Sequence, residues 1–199
     1  MKVLFSLQRK QHLLSFKGEF DMKKQNNLHN LVLSAMFLAI ALVLPFFTGQ
    51  IQKIGNMLCP MHLPVLLCGF FCGWPWGLAV GFIAPLLRSM LFGMPVMFPM
   101  AVCMAFELAG YGFISGWLYR ALPRSKSSVY ISLLTAMVGG RLLWGAARFI
   151  CTGLDASKFG IAAFWAGAVT TAIPGIILQI VVIPILVITL ENKVFSSQR

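Results

Sequence analysis

Three residues whose side chains could bind an anion stand in the otherwise apolar stretch Val129 to Cys151: Arg141, Trp144 and Arg148. At 100° per residue they share one face of a helix. A charged side chain at the centre of a bilayer costs about 2.5–3.5 kcal/mol on insertion scales, so it needs a partner charge or a water-filled cavity. Guanidinium groups hold carboxylate or phosphate with two parallel N–H donors. The spacing therefore predicts a site for a small anion inside a membrane.

Two further charged residues interrupt apolar runs and could line the same site. Glu107 lies within the run Val96 to Tyr119, and Arg88 ends the run Leu78 to Leu87. One arginine could form a structural ion pair with Glu107, but one carboxylate cannot neutralise three guanidinium groups. The others would still need an anion, water or backbone carbonyls. The predicted substrate-binding residues are Arg88, Glu107, Arg141, Trp144, Arg148 and, in the loop before the second span, Asn56.

The composition places these residues in an integral membrane protein. The 199 residues are 59% hydrophobic and 11% charged, whereas soluble domains carry about 25% charged residues. Long apolar runs with so few charges predict a polytopic, all-α protein embedded in the lipid bilayer. One compact helix bundle uses most of the length and leaves no room for a soluble ATPase or catalytic domain.

Six apolar runs predict a six-transmembrane-helix bundle, folded as a single domain over residues 28–195. The second and third runs are short, so a four-span arrangement remains an alternative. Residues 1–27 predict a disordered, basic cytoplasmic tail, in which Met22 resembles a bacterial start site. The predicted spans are Leu31 to Phe47, Pro60 to Phe71, Gly77 to Phe92, Val96 to Tyr119, Val129 to Cys151 and Gly160 to Leu190.

The positions of the basic residues predict the orientation of the bundle. With six spans both termini lie on one side, and eleven of the 16 lysines and arginines fall in the two tails and the 120–128 loop on that side. The positive-inside rule makes this side cytoplasmic. We therefore expect a multi-pass protein of the bacterial cytoplasmic membrane. The net charge of +11 by itself would suggest a nucleic-acid partner, but the basic residues form no basic patch on a soluble fold and their positions fit the topology better, so no nucleic-acid partner is expected.

Motifs of catalysis and metal binding are missing from the sequence. It has no Walker loop, nucleophile elbow or HExxH, and none of its five cysteines forms a CxxC or a zinc-spaced cluster with histidine. Cys68 and Cys72 are expected to be packing residues on one helix face. His62, at the start of the second span, is interpreted as a satisfied interfacial histidine. We predict no catalytic residue, metal, cofactor or enzymatic activity.

Ala35 and Ala39 form a small-xxx-small pair on the first span. Small side chains let the backbone of another helix approach closely. The same spacing is also expected from packing within the bundle, or by chance in an alanine-rich helix. A surface for a partner helix is therefore one of three interpretations of the pair.

Several short segments of the sequence together resemble the pattern of a known protein family. They are the basic N-terminus, Ala35 to Ala39, Pro60 to Val65, Gly73 to Gly77, Gly81, Pro85 to Ser89, Phe92 to Pro95 and Ala105 to Gly112. Together these segments resemble the substrate-binding S component of an energy-coupling factor (ECF) vitamin transporter, over about residues 28–195 and most strongly in spans two to four. One departure is Pro75, which follows one place later than the Gly-Pro turn that the family often has.

The resemblance implies a function that composition does not show. Such S components bind a vitamin or related micronutrient from outside, dock on a separate membrane scaffold subunit with two ATPase subunits, and are thought to topple to release the ligand inside. The family's docking motif is carried here onto Ala35 and Ala39. The arginines favour an anionic ligand, with pantothenate as the first expectation. Folate, a thiamine precursor and a flavin stay open.

Two other functions are compatible with the residues. A solitary secondary transporter of a small anion would favour inverted repeats, and none is evident. A membrane-embedded lipid-modifying enzyme would use Glu107 with the arginines. Such enzymes usually carry a paired acidic or His-Asp motif, and the chain has only five acidic residues.

Overall fold

The computed structural model describes residues 27–47, 60–123, 125–153, 160, 165 and 173–196, without the side chains of residues 191–196. These residues form helices joined by short turns and contain no β-strand. A single π-turn, Met97–Ala101, precedes the fourth helix. The helices are α1 (Asn27–Phe47), α2 (His62–Cys72), α3 (Trp74–Phe92), α4 (Val102–Ala121), α5 (Lys126–Cys151) and α6 (Ile173–Ser196).

The all-α membrane fold is confirmed, but six full-length spans are not. Within the described residues five helical segments are long and apolar enough to cross a membrane: Asn27–Phe47, Trp74–Phe92, Met97–Ala121, Lys126–Cys151 and Ile173–Leu190. Helix α2 has 11 residues, about 16 Å at 1.5 Å per residue, against a hydrocarbon core of about 30 Å. The predicted second span is thus too short to cross as a helix by itself.

The turn between α2 and α3 is tighter than the sequence predicts. Only Gly73 separates the two helices, and its φ of 91° lies in the left-handed region that glycine enters most easily. Trp74 and Pro75 already belong to the first turn of α3, where a proline loses no intrahelical hydrogen bond. The predicted tail, apart from Asn27, lies outside the described residues, as does most of the 161–172 segment of the last span.

Helices α2, α3 and α4 pack in backbone contact along a seam of glycines. A Cβ placed on Gly77 would lie 2.6 Å from the carbonyl oxygen of Gly112, and one on Gly69 would lie 2.7 Å from the same oxygen. A Cβ on Gly112 or Gly116 would in turn meet the backbone at Gly77 or Trp74. Because no side chain separates the helices here, the seam fixes how α2 and α3 sit on α4. We call this arrangement the glycine seam.

Two apolar clusters complete the bundle. The first, here called the core cluster, joins residues of α2, α4, α5 and α6, among them Leu66, Tyr111, Met137 and Ile183. In the second, Phe37 and Ala41 attach α1 to α2, α3 and α4. Every helix therefore buries one face in the bundle and exposes another, as expected for helices surrounded by lipid.

Candidate functional site

A buried group of three polar side chains lies between α2, α4 and α5. The Glu107 Oε1 atom accepts a hydrogen bond from a terminal guanidinium nitrogen of Arg141 at 2.8 Å and lies 3.3 Å from His62 Nε2. The Glu107 and His62 side chains are 2% and 3% exposed, and that of Arg141 is 15% exposed. A carboxylate at such depth is stable only with partners of this kind, because an unpaired buried charge is costly.

Each member of this group lies one helical turn from a member of the core cluster. His62 precedes Leu66 by four residues in α2, and Glu107 precedes Tyr111 by four in α4. Helix α5 runs in the opposite direction, so Arg141 follows Met137 by four. The His62 ring also meets the Tyr111 ring edge-on, with centroids 5.1 Å apart.

The three residues therefore form a layer that lies directly on the core cluster, and we call it the polar layer. It divides the bundle into two parts. The Glu107 half contains the start of α4 and the end of α5. The Arg120 half contains the end of α4, the start of α5 and the glycine seam.

Around the polar layer, the described positively charged side chains outnumber the negatively charged ones. Glu107 is the one acidic residue whose side chain the structure describes, and Arg141 and His62 already engage it. Arg148 lies two turns from Arg141 on the same face of α5, is half-buried, and stands beside Cys103 and Cys151. Among the described side chains, the Glu107 half thus has two guanidinium groups against one carboxylate inside a membrane-spanning bundle. Such an excess favours the binding of an anion.

Comparison with known protein families identifies the kind of membrane protein that contains the polar layer. Residues 29–187 match the model of the family described as "ECF transporter, substrate-specific component". The chain belongs to this family. The comparisons with curated proteins and with solved structures gave no match.

Membership of the ECF substrate-specific components establishes the coarse function. The protein is a membrane-embedded substrate-binding subunit of an ECF importer, takes a small-molecule substrate, and works with ECF scaffold and ATPase modules. The family consists of transporter subunits rather than enzymes. The predicted resemblance is confirmed, and so are the membrane location and the multi-pass helical fold.

The structure brings together some of the predicted site residues and separates others. Glu107 and Arg141 form the ion pair that the sequence left open between three arginines. Arg88 instead contacts α1: its guanidinium donates a hydrogen bond to the Leu42 carbonyl and lies 4.8 Å from the centroid of the Phe46 ring. Its buried position is therefore explained without any contact to the polar layer.

Of Trp144 and Asn56, which are also predicted to bind the substrate, the structure describes only Trp144. Trp144 is half-buried on α5, within the face that carries Arg141 and Arg148. Asn56 lies outside the described residues. The alanine pair is placed on the surface: Ala35 and Ala39 are both exposed on α1, opposite the buried Phe37 and Ala41.

His62 is the member of the layer that the sequence-based prediction left out. It was interpreted as an interfacial histidine, whereas its side chain is buried and contacts Glu107 across two helices. A signal was available, because His62 is the only titratable residue in the apolar run Pro60 to Phe71 other than Cys68. Its partner, however, is 45 residues away in the chain, a separation at which helical periodicity carries no information.

Proposed function

We propose that this substrate-binding subunit captures a small, negatively charged vitamin or vitamin-like molecule in its Glu107 half, with pantothenate as the first candidate. One observation carries the proposal. The only acidic side chain in the described part of the chain is already engaged by Arg141, so Arg148 keeps its charge within reach of a ligand on the same helix face. A desolvated guanidinium binds a carboxylate strongly and through two N–H donors.

The other predicted residues would have supporting roles. Glu107 orients the Arg141 guanidinium, whose remaining N–H donors can meet the same anion as Arg148. Trp144 would form an apolar wall between the two arginines. Arg88 would lie near the mouth, and Asn56 would act from the loop before α2.

Thermal unfolding of the purified protein in detergent tests the ligand class. A molecule that binds only the folded state raises the transition by an amount that grows with its concentration over Kd. We expect pantothenate to raise the transition, with folate as the second anionic candidate. Mass spectrometry of small molecules released on denaturation checks the result. If only the uncharged riboflavin or the cationic thiamine raises the transition, the anion proposal is wrong.

We further propose that Ala35 and Ala39 form the docking surface for the ECF scaffold. Both residues lie on an exposed apolar face of α1, together with Val32, Met36 and Ile40. Because their side chains are small, a helix of the scaffold could approach the α1 backbone closely at these two positions.

A double Ala35→Trp, Ala39→Trp variant should abolish uptake and co-purification of the scaffold and ATPase subunits. Because both positions are exposed, ligand binding by the isolated subunit should stay unchanged. Val181→Trp, at an exposed position of α6, is the matched control for added bulk on the surface. Normal co-purification of the double variant would exclude this face as the dock.

For the topology we propose a domain of residues 28–195 in the bacterial cytoplasmic membrane, with both termini cytoplasmic. The Arg120 half then faces the cytoplasm. In a background with the other cysteines replaced, an impermeant thiol reagent should label Cys151 from outside. Labelling of Ser125→Cys from outside would overturn this orientation.

A further inference from the structure

Another buried polar residue, Gln179 of α6, has no role in the site as described so far. Its side chain is 2% exposed, and its Oε1 atom has no hydrogen-bond partner among the described residues. A buried carbonyl oxygen without a donor destabilises the fold, so proteins retain one where a ligand or an ordered water supplies the missing hydrogen. Gln179 is thus a candidate for contact with a molecule that the chain itself does not contain.

Gln179 lies one helical turn from a residue of the core cluster, as each member of the polar layer does. Ile183 belongs to the core cluster with Leu66, Tyr111 and Met137, and Gln179 precedes it by four residues on α6. Residues four apart lie on the same helix face, one turn above each other. With both termini on one side, as proposed above, α6 begins in the Glu107 half, so this turn leads towards that half. On that topology Gln179 lies near the depth of Glu107 and Arg141.

His62 has a ring nitrogen without a hydrogen-bond partner. Its Nε2 atom lies 3.3 Å from Glu107, and its buried Nδ1 atom has no partner in the part of the chain that the structure describes. Because Arg141 already pairs with Glu107, we assign His62 the neutral tautomer that donates from Nε2 to the carboxylate. In that tautomer Nδ1 is a hydrogen-bond acceptor.

We propose that His62 and Gln179 bind the neutral part of the substrate through these two acceptors. The substrate class is then a carboxylate that also carries hydroxyl or amide hydrogens. The claim that the substrate is a carboxylate rests on the proposed function. The claim that it also carries hydroxyl or amide hydrogens is new. Helices α2 and α6 would close the site opposite α5, which supplies the arginines.

Two variants remove one acceptor each with little change in volume. Gln179→Met deletes the amide, and His62→Gln keeps an N–H donor for Glu107 while it removes the Nδ1 acceptor. Ser132→Ala is the matched control, because the Ser132 hydroxyl is also buried and unpartnered among the described residues but lies nine residues from Arg141 towards the Arg120 half. Binding is measured with pantothenate, an anion with donors, and with nicotinate and lipoate, carboxylates without N–H or O–H donors.

We expect pantothenate to bind the parent at least tenfold more tightly than nicotinate or lipoate. Gln179→Met and His62→Gln should each weaken pantothenate binding at least tenfold, whereas Ser132→Ala should not change it. The ligand-free Gln179→Met variant should unfold at the same temperature as the parent or higher, because an unsatisfied group is gone. If Gln179 served only to stabilise the fold, this variant would instead unfold at a lower temperature than the parent. A lower ligand-free transition for Gln179→Met, or parent-like affinity in both variants, overturns the inference.

Failure of this inference and failure of the proposed function give different results. If the donor-free carboxylates bind as well as pantothenate and only Arg148→Ala weakens binding, the site is an anion site without the donor contacts. If neutral nicotinamide binds the parent, and Gln179→Met weakens that binding while Arg148→Ala does not, the acceptors are functional and the anion proposal is wrong. A parent that pantothenate does not stabilise contradicts the assigned substrate class.

Discussion

The two halves of the bundle solve the problem of polar groups in a membrane in different ways. In the Arg120 half the Arg120 guanidinium donates to the Cys72 carbonyl at 2.9 Å, and the Ser125 side chain caps the start of α5. Backbone contact along the glycine seam holds the helices together. In the Glu107 half, by contrast, the described side chains include two arginines against one carboxylate, and the Nδ1 atom of His62 is buried without a partner among the described residues.

This difference distinguishes residues that are expected to act only in stability from residues that are expected to contact a ligand as well. In the Arg120 half Arg120 is paired with a backbone carbonyl, and the Ser132 hydroxyl is the buried side-chain group without a partner among the described residues, so the residues of this half are expected to affect stability. The Glu107 half needs further partners, so its residues are expected to affect ligand binding as well. Buried charged groups that lack a full set of partners are expected where a substrate-binding subunit holds its ligand.

Arg141→Ala should have the largest effect on stability. It leaves the buried Glu107 carboxylate with His62 as its remaining described partner, and breaking a buried ion pair from one side costs about 3–5 kcal/mol. The free energy of unfolding, measured by denaturant titration in mixed micelles, should fall by about that amount. The double variant Arg141→Ala, Glu107→Gln should recover much of the loss, because no uncompensated charge remains. Additive losses would contradict the described pairing.

Gly112→Ala tests the glycine seam and should have a smaller effect. The added methyl group meets the backbone of α3 at Gly77, and overpacking of this kind costs about 1–3 kcal/mol. The matched control is Gly139→Ala, where the added methyl meets the movable end of the Ile114 side chain. Gly112→Ala should lower the thermal transition more than Gly139→Ala does. Equal transitions would show that the seam does not hold the two helices in backbone contact.

The sequence predicts the helical membrane fold well because the hydrocarbon core imposes long apolar segments. The predicted limits Val129 to Cys151 and Val96 to Tyr119 lie within a few residues of the helical segments Lys126–Cys151 and Met97–Ala121. The start of the third span differs more: it is predicted at Gly77, whereas the helix begins at Trp74. Pro75 lies in the first turn, where proline is favoured.

The site is predicted less completely because its contacts join distant parts of the chain. The sequence indicates that Glu107 pairs with an arginine, but only the packing of α4 on α5 selects Arg141. The same packing leaves Arg88 with α1, where the Leu42 carbonyl satisfies it. Gln179 carries no local signal of function, and the isolated position of His62 in an apolar run does not indicate its partner. Their proposed roles follow from burial and from atoms without partners among the described residues, which are properties of the folded bundle.

The affinity of Arg148→Ala for pantothenate tests the central claim most directly, namely that the Glu107 half is an anion site. Arg148 is half-buried and engages no described carboxylate, so its removal should hardly change stability. Loss of a desolvated charge-assisted contact should weaken binding about 100-fold, or about 2.7 kcal/mol. Lys126→Ala, at an exposed position in the Arg120 half, should bind as the parent does. Parent-like binding by a folded Arg148→Ala variant would contradict the account.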